Sequence, residues 1–189
     1  MSIVAYDRCA TLGNHVPAGD CLPEGTGILG LLLIKKGFDL TTVTDGTSYG
    51  AAKTANNLKV VKDLEAYWPG ATPQTIAGKA GRMERLGHIQ YELPFTHEGV
   101  DANMTFWNTL NHARNWGVAL ITEDYKGYGA LDAQLEPILA SFFAAPGGEQ
   151  EFGKILEFRG TVKWKSRDLP VILSPLIWTQ TLLKADFQP

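Results

Sequence analysis

The alternation of apolar and polar residues is clearest in the middle of the chain, where it predicts a strand, a helix and a second strand. In His88–Phe95 every second residue is apolar, which is the pattern of a half-buried strand. Pro94 has no N–H to donate, so this strand is expected at a sheet edge. An amphipathic helix follows, with Asp101 as its N-cap and Gly117 just after its end. The continuous apolar run Val118–Thr122 predicts a buried strand.

Other segments add strands and one short helix. Phe152–Ser166 alternates apolar and charged residues, which predicts a long strand with one face of each kind. Ile28–Ile34 is an apolar run typical of a buried strand, and Thr47–Asn56 has the hydroxyl caps and alanines of a short helix. Pro137 disfavours a helix around it and favours an edge strand. Further short strands are predicted at Leu58–Asp63, Gln134–Ala145, Leu169–Pro175 and Leu176–Leu183.

Segments rich in glycine and proline predict the connections. Met1–Gly27 has little periodicity and is expected to be an extended arm. Tyr67–Gly87 is expected to be a long loop that becomes ordered on a partner, because long loops in compact domains are usually functional. Glu123–Asp132 and Pro146–Gly148 are predicted to be turns. The chain is therefore predicted to be mainly β with one principal helix, an α+β protein.

Length and charge narrow the class of protein. At 189 residues the chain can bury one core without metals or disulfides, so a single domain over residues 1–189 is expected. The net charge of -3 and the pI of about 5.8 give no general attraction to nucleic acid or anionic membranes. No signal peptide is visible, and the longest apolar run is far shorter than the roughly 20 residues of a membrane-spanning helix. We therefore expect synthesis in the cytoplasm and no membrane segment.

No recognisable catalytic motif is present. The histidines are scattered, and the sequence has no nucleophile elbow, Walker A loop or zinc-protease motif. Gly25, Gly27 and Gly30 match the spacing of a dinucleotide-binding loop, but a strand follows them, so glycines leading into a strand are the favoured interpretation. Carboxylates at Glu123–Asp124 and Asp132–Glu136 are an alternative as a glycoside-hydrolysis pair, although acids in a turn are usually solvated. The sequence predicts a protein that is not an enzyme, with no catalytic residue and no cofactor.

The two cysteines give no metal site. Cys9 and Cys21 are expected to be reduced thiols in the cytoplasm, and a disulfide is the alternative in an oxidising environment. With His15 they have neither the common spacing nor the fourth ligand of a zinc site. No metal-binding residue is therefore predicted.

Two groups of side chains indicate surfaces for association. Large amphipathic anchors are expected in the core, with a subunit interface as the alternative, at Trp107, Trp116, Trp164 and Trp178. A basic stripe on the long predicted strand is formed by Arg159, Lys163, Lys165 and Arg167. Because no groove-binding helix accompanies the stripe, salt bridges across an interface or a solvated face are favoured over DNA binding.

The C-terminal hundred residues carry a family resemblance. The segments concerned are the strand His88–Phe95, the helix start Asn103–Asn108, the stretch Trp116–Glu123, and the late strand Phe158–Trp164 with Leu169–Pro170. In their order and composition they resemble the tail tube proteins of tailed bacteriophages, and the chain is similar to virion structural proteins of phages infecting Bacteroidetes.

The resemblance implies a β-sandwich or barrel of the tail-tube type, with an N-terminal arm and long loops. It implies a virion protein, made in the host cytoplasm, that forms homo-oligomeric rings, commonly hexameric. The rings stack into a tube in which DNA is only a transient passenger, and other virion proteins are further partners. The arm and the loop 67–87 would make the stacking contacts. A capsid decoration or neck (connector) protein is the alternative, and an enzyme of unknown substrate is the alternative from another class.

Overall fold

The sheet organises the fold, and strands account for 52% of the described residues. A computed structural model describes residues 27–77, 83–123, 125–131, 136–147, 157–166, 171–172 and 180–187. The strands are β1 Gly27–Lys35, β2 Leu58–Val61, β3 Leu64–Tyr67, β4 Gly70–Ala77, β5 Met83–His97, β6 Trp116–Thr122, β7 Gly127–Gly129, β8 Ser141–Gly147, β9 Glu157–Ser166 and β10 Val171–Ile172. The helices are α1 Gly46–Thr54, α2 Val100–His112 and α3 Gln180–Phe187, with a 3-10 turn at Leu40–Thr42. The expectation of a mainly β, α+β protein is confirmed.

The strands pair antiparallel in the order β10-β7-β6-β1-β3-β5-β9-β8, with β2 beside β1 and β4 beside β5. β2 and β3 are consecutive, and Asp63 between them has a positive φ of 54°. β3 pairs with β1 on one side and with β5 on the other, so it joins the two halves of the sheet.

The sheet closes on itself next to β6. The Ala140 N–H donates to the Trp116 carbonyl at 2.9 Å, and the Ile138 N–H donates to the Ala130 carbonyl at 2.8 Å. An isolated bridge pairs Gly117 with Leu139. The segment that leads into the last strand of the order, β8, therefore lies beside β6, and the sheet curves around an enclosed core.

Alternation along β1 divides the core in two. Leu31 and Leu33 belong to a large cluster inside the curved sheet, whereas Leu32 and Ile34 belong to a second cluster that includes residues of α1 and α3. Both faces of β1 are covered, so the strand is an uninterrupted apolar run rather than an alternating one. The same holds for β6, in which every residue is buried.

Helices α1 and α3 are joined by one carboxylate. The Tyr49 hydroxyl donates to Asp186, and the Lys53 ammonium lies 2.8 Å from the same side chain. Burial and the hydrogen bond to the carboxylate raise the pKa of Tyr49, so its hydroxyl stays protonated as a donor. This contact joins the two helices whose residues belong to the second cluster.

The predicted boundaries of α2 are wrong at both ends. The N-cap is Gly99, in the left-handed conformation with φ 74°, and Asp101 lies in the first turn, where a carboxylate favours the helix dipole. The helix ends at His112, and Gly117 is part of β6 instead of a helix cap. A Cβ on Gly117 would lie 2.5 Å from the Pro137 Cβ, so glycine permits the close approach at the sheet closure.

Several predicted strands are confirmed in position. They are Ile28–Ile34, Leu58–Asp63 in part, His88–Phe95, Val118–Thr122 and the described part of Phe152–Ser166, and the short helix within Thr47–Asn56 is also confirmed. Gly27 and Gly30 lie in β1, which confirms that these glycines lead into a strand. The edge strand expected in Gln134–Ala145 is confirmed in part, since β8 begins at Ser141 and Pro137 lies before it in an isolated bridge with Leu131.

Other predictions are wrong. Tyr67–Gly87 is not a loop, because β4 and the start of β5 form a hairpin there. Gly127–Gly129 is strand β7 instead of a turn, and Pro146–Gly147 ends strand β8. Gln180–Leu183, expected in a strand, begins α3. Outside the described residues lie the arm before Gly27, Cys9, His15, Cys21, Arg167 and Trp178.

Pro94 does not mark a sheet edge, since β5 lies between β3 or β4 and β9. On one flank β3 pairs as far as Phe95 and β4 begins pairing at Glu92, so the register on that side skips Pro94. The N–H that Pro94 lacks therefore falls where the neighbour of β5 changes from β3 to β4. A central strand tolerates proline at such a position.

Trp107 anchors the inner cluster, and we expect Trp107→Ala to lower the free energy of unfolding by about 3–5 kcal/mol. The side chain is fully buried, and its ring stacks on Phe95 with centroids 5.0 Å apart. Urea denaturation of Trp107→Ala and of the matched control Met104→Ala, which changes a residue 43% exposed on the same helix, checks this. An unchanged unfolding midpoint for Trp107→Ala would contradict a core role.

Candidate assembly surface

One face of the sheet is left uncovered by the part of the chain that the structure describes. On β8, β9 and β5 alternate residues are buried in the inner cluster, and their neighbours point to the opposite side. We call this opposite side the outer sheet face. Its cross-strand rows are Ala145, Arg159 and Thr96, then Phe143, Thr161 and Pro94, then Ser141, Lys163 and Glu92.

The centre of the outer sheet face is apolar. Phe143 is 61% exposed, and Pro94 in the same row is also exposed. Tyr67, on the neighbouring strand β3, is 80% exposed. Large exposed apolar side chains on one face of a sheet are typical of binding surfaces, because water contact with them is unfavourable.

The charges on this face are balanced. Lys163 lies 3.0 Å from the Glu92 carboxylate, and Arg159 lies 2.9 Å from Glu157. The predicted basic stripe is therefore exposed, and acids of the same sheet neutralise part of it. Such a face suits a protein partner better than a phosphate backbone, which requires an excess of positive charge.

The β4–β5 hairpin extends beyond the other described strands of the sheet. β9 pairs with β5 from Ile89 onward, whereas β4 pairs with β5 from Met83. In β4, the four successive residues Gly70–Pro73 are all exposed, and the part of β5 beside them also pairs with β9. Beyond Pro73, β4 and β5 pair with no other described strand, and a two-stranded ribbon is marginally stable in water. The hairpin is thus a second candidate for contact with another molecule.

An open cleft of about 810 Å³ lies between the outer sheet face and the start of β1. Glu65, Glu123, Tyr67 and Arg159 are among its lining residues. Glu123 was a candidate for a carboxylate pair, but its predicted partner Asp124 is outside the described residues. The described lining contains no histidine, cysteine or serine.

His97 has a structural role. It is buried, and its Nδ1 accepts a hydrogen bond of 3.1 Å from the Trp107 indole N–H. Burial lowers the pKa of His97 below its ordinary value of 6.5, although a hydrogen bond with the Lys62 backbone and the charges of Asp63 and Glu98 act in the opposite direction. Because Nδ1 is an acceptor, the ring must be neutral in the folded protein.

The remaining candidates are not brought together. His88 and His112 are exposed on different elements. In the part of the chain that the structure describes, no three His, Cys, Asp or Glu side chains are placed to hold a metal ion. None of the described helices is long and apolar enough to cross a membrane.

Among the described aromatic residues, the tryptophans predicted as anchors are not the residues that are most exposed. Trp107, Trp116 and Trp164 are buried, which confirms the core interpretation for these three. The exposed aromatic residues Tyr67 and Phe143 were not singled out from the sequence. Phe143 stands in the polar phase of its strand, and this misplaced apolar residue is the signal that identifies it.

Comparison of the chain with protein-family models, with curated proteins and with solved structures gives no significant match.

We expect the free energy of unfolding to decrease as the pH falls below about 6.5, because of His97. Its pKa is lower in the folded than in the unfolded chain, so the unfolded chain binds the proton more readily. The stability from neutral His97 is complete above the unfolded pKa and is lost as the pH falls towards the folded pKa. The slope for one proton is at most about 1.4 kcal/mol per pH unit.

Urea denaturation between pH 7.5 and 5 measures this slope. His97→Gln, which removes the titrating group, is expected to flatten the profile, whereas the control His88→Gln, at an exposed position, is expected to keep it. Identical profiles for the parent protein and His97→Gln would contradict the assignment.

Proposed function

We propose that this chain is a self-assembling virion structural protein, most nearly a tail tube subunit that forms stacked rings. The single observation that carries the proposal is that an exposed sheet face lies beside a hairpin that extends past it. The resemblance of His88–Phe95, Trp116–Glu123 and Phe158–Trp164 to tail tube proteins supplies the specific class. In this proposal the chain is not an enzyme.

The energetics of the hairpin support association. Past the end of β9, the described strands β4 and β5 pair only with each other, and Gly70–Pro73 at the base of this ribbon are exposed. Contact with a second subunit would cover the ribbon and remove its exposed backbone from water. The predicted role of residues 67–87 in stacking is therefore retained in the proposal, with a preformed hairpin in place of a disordered loop.

The curved sheet also supports the proposed class. Closure between β6 and the segment before β8 makes the described strands resemble the expected barrel, with α2 packed against it. In a ring, the apolar row Phe143, Thr161 and Pro94 would face a neighbouring subunit. The paired charges on either side of this row would set the register between subunits.

Passage of DNA is compatible with the charge of the chain. The net charge is -3, and Lys163 and Arg159 are already paired with carboxylates. A surface of this kind does not retain phosphates strongly, because few cations are free to displace counterions. DNA as a transient passenger fits this property better than DNA as a bound ligand.

Electron microscopy of negatively stained protein, with light scattering over a concentration series, tests the proposal. We expect rings or tubes of uniform diameter at high concentration. Replacement of residues 74–88 by Asn-Gly, which joins the register partners Pro73 and Ile89 with a hairpin turn, should keep the fold and abolish stacking. Circular dichroism checks that the shortened protein is folded.

Tubes formed by the shortened protein would contradict the stacking role of the hairpin. A monomer at every concentration, for both proteins, would favour a decoration protein that binds another virion component. Turnover of a small molecule bound in the cleft would favour an enzyme instead.

Phe143→Glu should prevent ring formation without unfolding the protein, because an uncompensated charge would replace the exposed apolar centre of the contact. The matched control is Ser141→Glu, which adds the same charge to an exposed position on the same face of the same strand. Sedimentation velocity is expected to show monomers for Phe143→Glu under conditions in which Ser141→Glu assembles. Equal assembly of the two variants would exclude Phe143 from the interface.

A further inference from the structure

The free edge of β8 is occupied by a side chain of α2. The Asn111 Nδ2 donates to the Ala144 carbonyl at 2.8 Å, and the Asn111 Oδ1 accepts from the Ala144 N–H, also at 2.8 Å. The side-chain amide thus makes both hydrogen bonds that a residue of a neighbouring strand would make.

The other donors along this edge are largely accounted for. Alternate residues of a strand point their backbone groups to the same side, so Ala140, Phe142 and Pro146 share the flank of Ala144. The Ala140 N–H donates to the Trp116 carbonyl at 2.9 Å, and Pro146 has no N–H. Within the described residues 140–147, at most one N–H on this flank, that of Phe142, is left to begin pairing with another strand.

We propose that Asn111 is an edge cap that prevents β8 from adding a strand of a second copy of this chain. An open β8 edge would be self-complementary, because two copies related by a two-fold axis can pair antiparallel along the same strand. The cap directs association away from this edge and towards the outer sheet face and the hairpin. The inference concerns the isolated subunit and does not rest on the tail tube proposal.

Asn111→Ala opens the edge. Asn111→Asp retains an acceptor for the Ala144 N–H but loses the donor to the Ala144 carbonyl, and the charge it adds at the edge disfavours strand addition. The matched control is Asn108→Ala, at an exposed position on the same helix. Sedimentation velocity is measured below the concentration at which the parent protein assembles. Only Asn111→Ala is expected to associate there as its concentration increases.

Hydrogen exchange at the Ala144 amide identifies the site of association. In the parent protein we expect slow exchange at every concentration. In dilute Asn111→Ala, exchange should accelerate about five- to tenfold, as the loss of one hydrogen bond implies. In concentrated Asn111→Ala, it should become slow again, because the added strand protects the same amide.

Two results would overturn the inference. One is fast exchange of the Ala144 amide in the parent protein, which is informative even if Asn111→Ala does not fold. The other is an Asn111→Ala protein that stays in the parent's association state and exchanges fast at every concentration, which would give Asn111 a local stabilising role only. If the parent protein formed no tubes, that result would contradict the proposed function and would leave this inference unchanged.

Discussion

The burial of β1 and β6 on both faces is the constraint on which the rest of the structure depends. One face of β1 packs into the curved sheet, and the other packs against α1 and α3, which Tyr49, Lys53 and Asp186 join. The described helices lie there or inside the curve. Among the described residues, β8 and β9 are therefore covered on one face only. The exposed Phe143 row follows from this unequal coverage, and so does the expectation of a protein partner.

Strands that are buried on one or both faces were predictable from the sequence, because burial imposes a pattern on neighbouring residues. The apolar run of β1 and the alternation of β9 are examples. Residues 67–87 were mispredicted as a loop because exposed residues such as Gly70–Pro73 follow no such pattern, and glycines and prolines are also the residues of loops. The helix α3 was mispredicted as a strand, since a short amphipathic segment such as Gln180–Leu183 fits either period.

The candidate surface was predictable only in part. The basic residues of β9 could be placed on one face, and the same alternation places Glu157 beside Arg159. The neutralisation of Lys163 by Glu92 depends on the strand register, which no local pattern specifies. The contact between Asn111 and Ala144 and the contact between Trp107 and His97 each join two different elements. The residue types alone therefore do not indicate which groups meet. Phe143 was identifiable in principle, because an aromatic residue in the polar phase of a strand requires a reason.

The edges and the faces of this sheet differ in how selectively they can associate with another molecule. A backbone edge pairs with almost any extended strand, because its hydrogen-bonding groups are the same in every sequence. A face carries specific side chains, so its association can be selective. The sheet blocks much of the β8 edge with Asn111 and Pro146 while leaving Phe143, Pro94 and Tyr67 exposed. A chain selected only to remain monomeric would have little reason to seal the edge and keep the apolar face. In the proposed assembly, this combination would restrict association to one geometry, in which the face and not the edge determines the neighbour.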